Sequence, residues 1–374
     1  MSGKLLIDIS AAINQSAGIG RYARELTREL LPVLDPKETE LWYAEDDRPF
    51  QPALLDQFPW SELPLRVAPF SRLNVDRLFV RQSFPGRRFL RVGKPADVYS
   101  PDFTAPPAGD ARTHVTVHDL AWFHPEAATP KPLAAFLGPV VERSVRSAAT
   151  VFTVSHTIRA EIVDRYRIPA DRVIVAQNAA AEHFHLAERL SDDTLATLGI
   201  RRPFLLSVGT IEPRKNVGAL FDALTLLPAT MQLAVVGRPG WNSDSILARV
   251  GELGLTGRVV RLGQFPDDSL PRLMASAAAV VYPSRYEGFG LPVLESMATG
   301  APVAASDLPV FREIGGEVIE YFDPERAEDL AAAIERAIGS HDDREARQSR
   351  KQRAAQFDWR ASAEIVNRRI QEFR

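Results

Sequence analysis

The sequence predicts an α/β protein of two domains, each built on a parallel sheet. Three observations carry this. Short apolar runs of strand length alternate with amphipathic runs of helix length almost throughout. The chain has 374 residues, 45% hydrophobic and 25% charged, an ordinary globular composition that favours two domains of roughly 150–200 residues each. A polar stretch from Glu182 to Asp193 reads as the linker, which sets the domains at 1–180 and 181–357.

Composition also excludes classes of function. The net charge of −3 carries no nucleic-acid footprint, so no nucleic-acid partner is expected. With no cysteine, disulfides, thiolate nucleophiles and Cys-ligated zinc are ruled out. Leu5-Leu-Ile is cut by Asp8 and does not read as a secretory signal, and no apolar run approaches a membrane span. The expected location is cytoplasmic. No repeat at a fixed period stands out.

In chain order, Lys4 to Ser10 is the first buried strand. A loop, Ala11 to Ala17, leads to a helix from Gly18 to about Leu34, with Tyr22, Leu26, Leu30 and Leu31 at helical spacing. Gly18-x-Gly20-x-x-Ala23 matches the dinucleotide fingerprint in form, and Glu45 follows a second strand, Glu40 to Ala44. The fingerprint needs its glycines directly after the strand, so the intervening loop argues against it. From Arg66 to Lys94 eight basic side chains stand against the single acid Asp76, with Leu and Phe interleaved. This segment reads either as a surface for anionic membrane or as a helix with a solvated basic face. Ala96 to Ser100 and Thr113 to His118 are strands. His118 and Asp119 stand at a strand's C-terminal end, where open α/β sheets bind ligands. His114 and His118 share a strand face, and His183-x-His185 is a second pair. Neither shows a third ligand, so both read as plain histidines and no metal is expected. Pro139 to Ala148 is a helix and Thr150 to Val154 a strand. Ser155 caps the helix Thr157 to Tyr166, and Arg172 to Ala176 is the next strand.

In the second half, Pro203 to Gly209 is a strand. Arg214 and Lys215 follow at the start of a helix reaching Leu227, as an anion site or as a solvated basic turn. Met231 to Gly237 and Arg258 to Gly263 are strands, and Ser269 to Ala277 is a helix. Ala277 to Tyr282 is a buried strand, Pro283 to Gly290 a Gly-rich loop, and Pro292 to Thr299 a helix stopped by Gly300. Ala301 to Ala305 and Val318 to Phe322 are strands, and helices cover Ala327 to Ile338, Arg344 to Phe357 and Arg360 to Phe373. Strand, Gly-rich loop and helix together make an anion site. Glu287 and Glu295 flank it. A bare phosphate would not favour two carboxylates, whereas a phosphate beside hydroxyl groups would, so a nucleotide sugar or sugar phosphate fits. The alternative is a surface loop with a solvated Glu287 and an ordinary first-turn Glu295.

The run Ser284 to Pro302, with Glu-Gly-Phe-Gly-Leu-Pro-Val-Leu-Glu at Glu287 to Glu295, resembles the retaining glycosyltransferases of family 4. The resemblance implies the GT-B fold, two Rossmann-like domains facing a central cleft. It implies that Glu287 faces the donor sugar and Glu295 binds the ribose hydroxyls. The backbone of Gly288, Phe289, Gly290 and Leu291 would hold the diphosphate. Arg214 and Lys215 match the family's basic pair, although Thr210 stands where many members have Arg. Gly18 and Gly20 match a Gly pair that contacts donor phosphate and acceptor. His118, with Asp119 beside it, matches a His on the donor sugar, and Phe265 borders the base. Asn178-Ala-Ala departs from the family's Asn-Gly. Phe357-x-Trp359 resembles the point where the chain returns to the first domain, which would be completed by residues 358–374.

The implied activity is retaining hexosyl transfer by same-face attack, with the leaving phosphate helping to take the acceptor proton. No Asp-x-Asp occurs, so cations and helix N-termini would meet the diphosphate charge, with no metal or other cofactor. Val208 to Asn216 and Val117 to Pro125 look like the mannosyltransferase branch of bacterial surface polysaccharide synthesis. That implies GDP-mannose as donor and a glycan or lipid-linked glycan as acceptor, at the inner face of the membrane. A UDP- or dTDP-hexose is the alternative donor. A nucleotide-sugar epimerase, separable by products formed without acceptor, and a non-catalytic binding module, separable by absence of turnover, are the competing functions.

Overall fold

The computed structural model describes residues 3–16, 18–46, 51–57, 59–69, 71 and 92–374. The chain divides into two compact units, Met1–Phe123 with Lys131–Asn178 and Asp358–Arg374, and His124–Pro130 with Ala179–Phe357.

The first unit holds β1 (Leu5–Asp8), β2 (Thr39–Tyr43), β3 (Leu65–Val67), β4 (Asp97–Ser100), β5 (Arg112–Val117), β6 (Thr150–Thr153) and β7 (Val173–Val175). They form one seven-stranded sheet in the order β3-β2-β1-β4-β5-β6-β7. Every pairing is parallel. Helices cover such sheets on both faces, which is why β1, β2, β4 and β6 are buried along their whole length. The order reverses at β1 and β4, whose C-terminal ends are tied by Asp8. Its carboxylate, 1% exposed, accepts from Ser10 Oγ at 2.6 Å and Ser100 Oγ at 3.1 Å.

Three local readings change here. The loop after β1 contains a short helix, Ser10–Asn14, begun where the Ser10 N–H and hydroxyl both turn back to Asp8. The helix expected to start at Pro139 starts at Lys131 and runs to Ser147 with the proline inside. Buried Val140, Val141 and Val145 hold its second half on the sheet, and that packing outweighs the lost backbone bond. In the polar linker, which falls in the second unit, Phe184 is only 1% exposed and anchors a turn of helix, Glu182–His185. Of the basic segment Arg66 to Lys94, residues 70 and 72–91 lie outside the described residues; Arg66 itself pairs with Glu40 at 2.5 Å. The helix Trp359–Gln371 packs in this unit, with Trp359 edge-on to Tyr22 at 5.8 Å and Ser362 Oγ donating to the Gln177 carbonyl at 2.7 Å.

The second unit holds β8 (Phe204–Val208), β9 (Gln232–Val236), β10 (Val259–Gly263), β11 (Ala279–Tyr282), β12 (Val303–Ser306) and β13 (Glu320–Phe322). Their order is β10-β9-β8-β11-β12-β13, again wholly parallel, with the reversal between β8 and β11. Leu205, Leu233, Val235 and Val281 on the strands pack under Leu220, Phe221 and Leu224 of one helix and Leu330 and Ile334 of another. The helix Ser243–Glu252 has no counterpart in the sequence reading. It buries only Ser243 fully, and Ile246, Leu247 and Val250 lean on the core from its edge. Where β8 and β9 end, the chains cross so closely that a Cβ on Gly237 would lie 1.8 Å from the Gly209 carbonyl oxygen. Only glycine fits, and the crossing fixes the loop that leads to Lys215. Among the described residues, no helix is long and apolar enough to cross a membrane.

Candidate active site

Ligands of doubly wound sheets bind beyond the strand ends where the order reverses. In the second unit that point lies after β8 and β11, and both loops there are the ones the sequence singled out. After β8, Pro213–Lys215 forms one 3-10 turn, closed by Asn216 in the left-handed conformation at φ 51°. The Asn216 amide holds the turn by donating to the Pro324 carbonyl at 3.0 Å. After β11, the loop from Pro283 ends at Gly290, where φ is 99° and a Cβ would meet the Phe311 ring at 2.4 Å. The helix Leu291–Thr299 begins there without a side-chain cap, and the N–H groups of Phe289, Gly290 and Leu291 have no acceptor among the described residues.

The two loops meet at Glu287. Lys215 Nζ lies 2.5 Å from Oε1 and Arg214 Nη1 lies 3.1 Å from Oε2. Ser284 Oγ donates to Oε1 at 2.8 Å. Burial would push this carboxyl up, but the charges of Lys215 and Arg214 and the bonds from Lys215 and Ser284 bring it down to about 2. It is therefore ionised at every physiological pH. Arg214 also bonds the buried Glu212 at 3.1 Å, whose carboxyl is pushed up by burial. Lys215 spends one of its three N–H donors on Glu287 and keeps two. Beside it, Ser207, Gly209, Thr210, Lys215, Tyr282 and Ser284 line a small recess that opens to solvent.

Glu295 sits in the following helix and is 1% exposed. The neighbouring Tyr282 hydroxyl donates to the Pro292 carbonyl at 2.9 Å and fixes the first helical turn. Burial pushes that phenol up, and Glu295 and Glu287 add to the shift. Phe289 turns inward, edge-on to Phe357 at 6.0 Å, so only its backbone can serve a ligand. Phe265 is partly exposed in the loop after β10, outside the Glu287 cluster. Ser284, Glu212 and Tyr282 belong to the site and were not picked from sequence. Ser284 lies inside the matching run, and its position three residues before Glu287 was the available signal.

Gly18, Gly20, His118 and Asp119 belong to the first unit. A Cβ on Gly20 would lie 2.0 Å from the Gln15 carbonyl oxygen, so this glycine is required by close packing, whereas Gly18 has open space around it. His118 follows β5, is 7% exposed and sits edge-on to Tyr22 at 4.7 Å. Its Nε2 is 3.0 Å from the Pro101 carbonyl, so Nε2 carries the proton and Nδ1 is the acceptor. Burial lowers its pKa, with Asp102 opposing, which leaves the ring neutral at neutral pH. Asp119 accepts from the Ala121 N–H at 3.1 Å. His114 pairs with buried Asp97 at 3.2 Å, and His183 lies against Phe184. Among the described residues, no three His, Asp or Glu side chains gather as a metal site would require.

Residues 16–181 match the family described as Glycosyltransferase Family 4, and residues 196–357 match Glycosyl transferases group 1. The O-antigen chain mannosyltransferase B of Escherichia coli is 30% identical over 367 residues, covering 91% of this chain and 92% of that protein. The O-antigen chain mannosyltransferase RfbU of Salmonella typhimurium strain LT2 is 28% identical over 222 residues, 59% of each. Anabaena Alr3699/HepE, solved in complex with UDP and glucose, shares the fold with a TM-score of 0.74 at 18% identity, over 99% of this chain and 100% of that one. The chain belongs to the glycosyltransferases, with a family 4 amino-terminal half and a group 1 carboxy-terminal half on the GT-B fold.

Proposed function

We propose that this protein moves mannose from GDP-mannose, with retention, to a glycan or lipid-linked glycan in bacterial surface polysaccharide synthesis. The convergence of Lys215, Arg214 and Glu287 at the reversal point of the second sheet carries the reading. The O-antigen mannosyltransferases among its relatives support the choice of sugar and of pathway class.

In this reading Lys215, Arg214 and the N–H groups of Gly288 to Leu291 hold the diphosphate. Glu295 takes the ribose hydroxyls and Phe265 borders the base. Glu287 faces the transferred sugar, and His118 Nδ1 accepts from one of its hydroxyls, with Asp119 beside it. Gly18 and Gly20 shape the first-unit loop toward phosphate and acceptor. The bond from the sugar's anomeric carbon to the phosphate oxygen breaks as the acceptor oxygen bonds on the same face. The acceptor proton passes to the leaving diphosphate. Lys215 and the helix N-terminus stabilise the charge that develops there, with no metal needed. The enzyme works in the cytoplasm, at the inner face of the membrane when the acceptor is lipid-linked.

A UDP- or dTDP-hexose donor is the second reading, favoured by the UDP and glucose bound to the Anabaena structure. A thermal-shift panel of GDP, UDP, ADP and dTDP with their sugars decides. A ligand at a hundred times its dissociation constant stabilises the fold by about 2.7 kcal/mol. A shift with GDP-mannose is expected. A shift with UDP and none with GDP would overturn the mannose assignment and leave the transferase reading standing.

A further inference from the structure

The helix Arg344–Ala354 crosses Gly300, the residue that ends the helix Leu291–Thr299. Two of its cations have evident structural work. Arg350 is buried and donates to the Gly300 carbonyl at 3.2 Å and to Ser340 Oγ at 3.1 Å. Arg353 donates to the carbonyls of Glu313 and Ile314 at 2.6 and 2.8 Å.

Arg347 differs. It is half-buried, and its guanidinium has no hydrogen bond or ion pair among the described residues. A Cβ on Gly300 would lie 2.7 Å from Arg347 Cγ, 2.9 Å from its Nε and 3.3 Å from Lys351 Cε, so the two stems run together over one glycine. Lys351 Nζ donates to the His185 carbonyl at 3.1 Å, and Arg189 follows a few residues later in the same segment. Among the described residues, the carboxylate that reaches one of these cations does so at long range. Asp342, 91% exposed, comes no nearer to Arg189 than 3.9 Å. Asp343 Oδ1 is taken by the N–H groups of Glu345 and Ala346 at 2.8 and 3.2 Å. The crowding is felt electrostatically: burial and then the Arg347 charge lower the pKa of both Lys351 and Arg189, with Asp342 only partly opposing at Arg189. Nothing in the donor-site chemistry calls for this cluster, which stands at the opposite end of the Leu291–Thr299 helix from the Gly288 loop.

We propose that Arg189, Arg347 and Lys351 form a second anion site, which takes a phosphate group carried by a soluble phosphoester or by an anionic lipid headgroup. A guanidinium with all its donors open, flanked by two further cations, matches a phosphate's three acceptor oxygens. Leu186, 71% exposed beside the Lys351 anchor at His185, gives the site an apolar neighbour suited to a lipid surface.

The test uses full-length Lys215→Ala protein, in which one of the two donor-side cations is gone. Two probes are applied: inorganic phosphate in a thermal-shift titration at fixed ionic strength, and co-sedimentation with phosphatidylglycerol vesicles against phosphatidylcholine vesicles. Binding is expected, and adding Arg347→Gln should weaken it about tenfold, the loss of one charge-assisted contact. Arg189→Gln gives the same test should Arg347→Gln fold poorly. Binding to phosphatidylglycerol alone assigns the site to lipid, and binding to phosphate at comparable strength assigns it to a soluble phosphoester. The proposal is overturned if neither probe binds, or if both variants bind as well as their parent. A failed donor panel would leave this result unaffected.

Discussion

The ion pair between Lys215 and Glu287 can be tested apart from any substrate. Holding the Glu287 carboxyl at about 2 instead of 4.5 corresponds to roughly 3 kcal/mol favouring the folded state when the group is ionised. The side chains are 23% and 11% exposed, so solvent screens only part of this. Because the folded pKa is the lower one, the stabilisation is complete above about pH 4.5 and is lost as pH falls toward 2. Arg214 and Ser284 share the carboxylate, so the Lys215 portion should be about 1.5–2 kcal/mol. A double-mutant cycle of Lys215→Met and Glu287→Gln, followed by urea unfolding at pH 7, measures it. The coupling should be of that size and should shrink as pH is lowered through 4 toward 2. Additive effects within about 0.5 kcal/mol at pH 7 would refute the pairing as a source of stability.

Three other outcomes follow. Glu295→Ala should weaken donor binding, while Glu287→Ala should mainly lower kcat; a reversed pattern in steady-state kinetics and calorimetry would exchange their roles. Gly290→Ala must place a Cβ against Phe311 at φ 99°, and thermal unfolding should show a loss of about 1–3 kcal/mol; an unchanged Tm would mean that the loop adjusts freely. Activity should survive EDTA, and full loss restored by magnesium or manganese would end the metal-free account.

The alternation of strands and helices, and the parallel order that follows from it, was legible because buried parallel strands are nearly continuous apolar runs. The loop between Tyr282 and Leu291 was legible too, since glycine and proline punctuate it. Other features depended on tertiary packing. Pro139 reads locally as a helix start, and only the burial of the valines after it keeps it inside a longer helix. Glu182–His185 reads as polar linker because a single buried phenylalanine, Phe184, carries its packing. The bond from Ser284 to Glu287 and the tie from Glu212 to Arg214 are invisible as periodicity. Each lies within one loop, and the two loops, separated by some seventy residues, are brought together beyond adjacent strands.

Calorimetric titration of the nucleotide-sugar donor into wild-type and Lys215→Ala protein at neutral pH tests the central claim most directly. Lys215 retains two donors for the diphosphate in a half-buried site, so its removal should cost about 2–3 kcal/mol, roughly 30- to 150-fold in Kd. Equal affinities for the two proteins would remove Lys215 from the donor site and contradict the account.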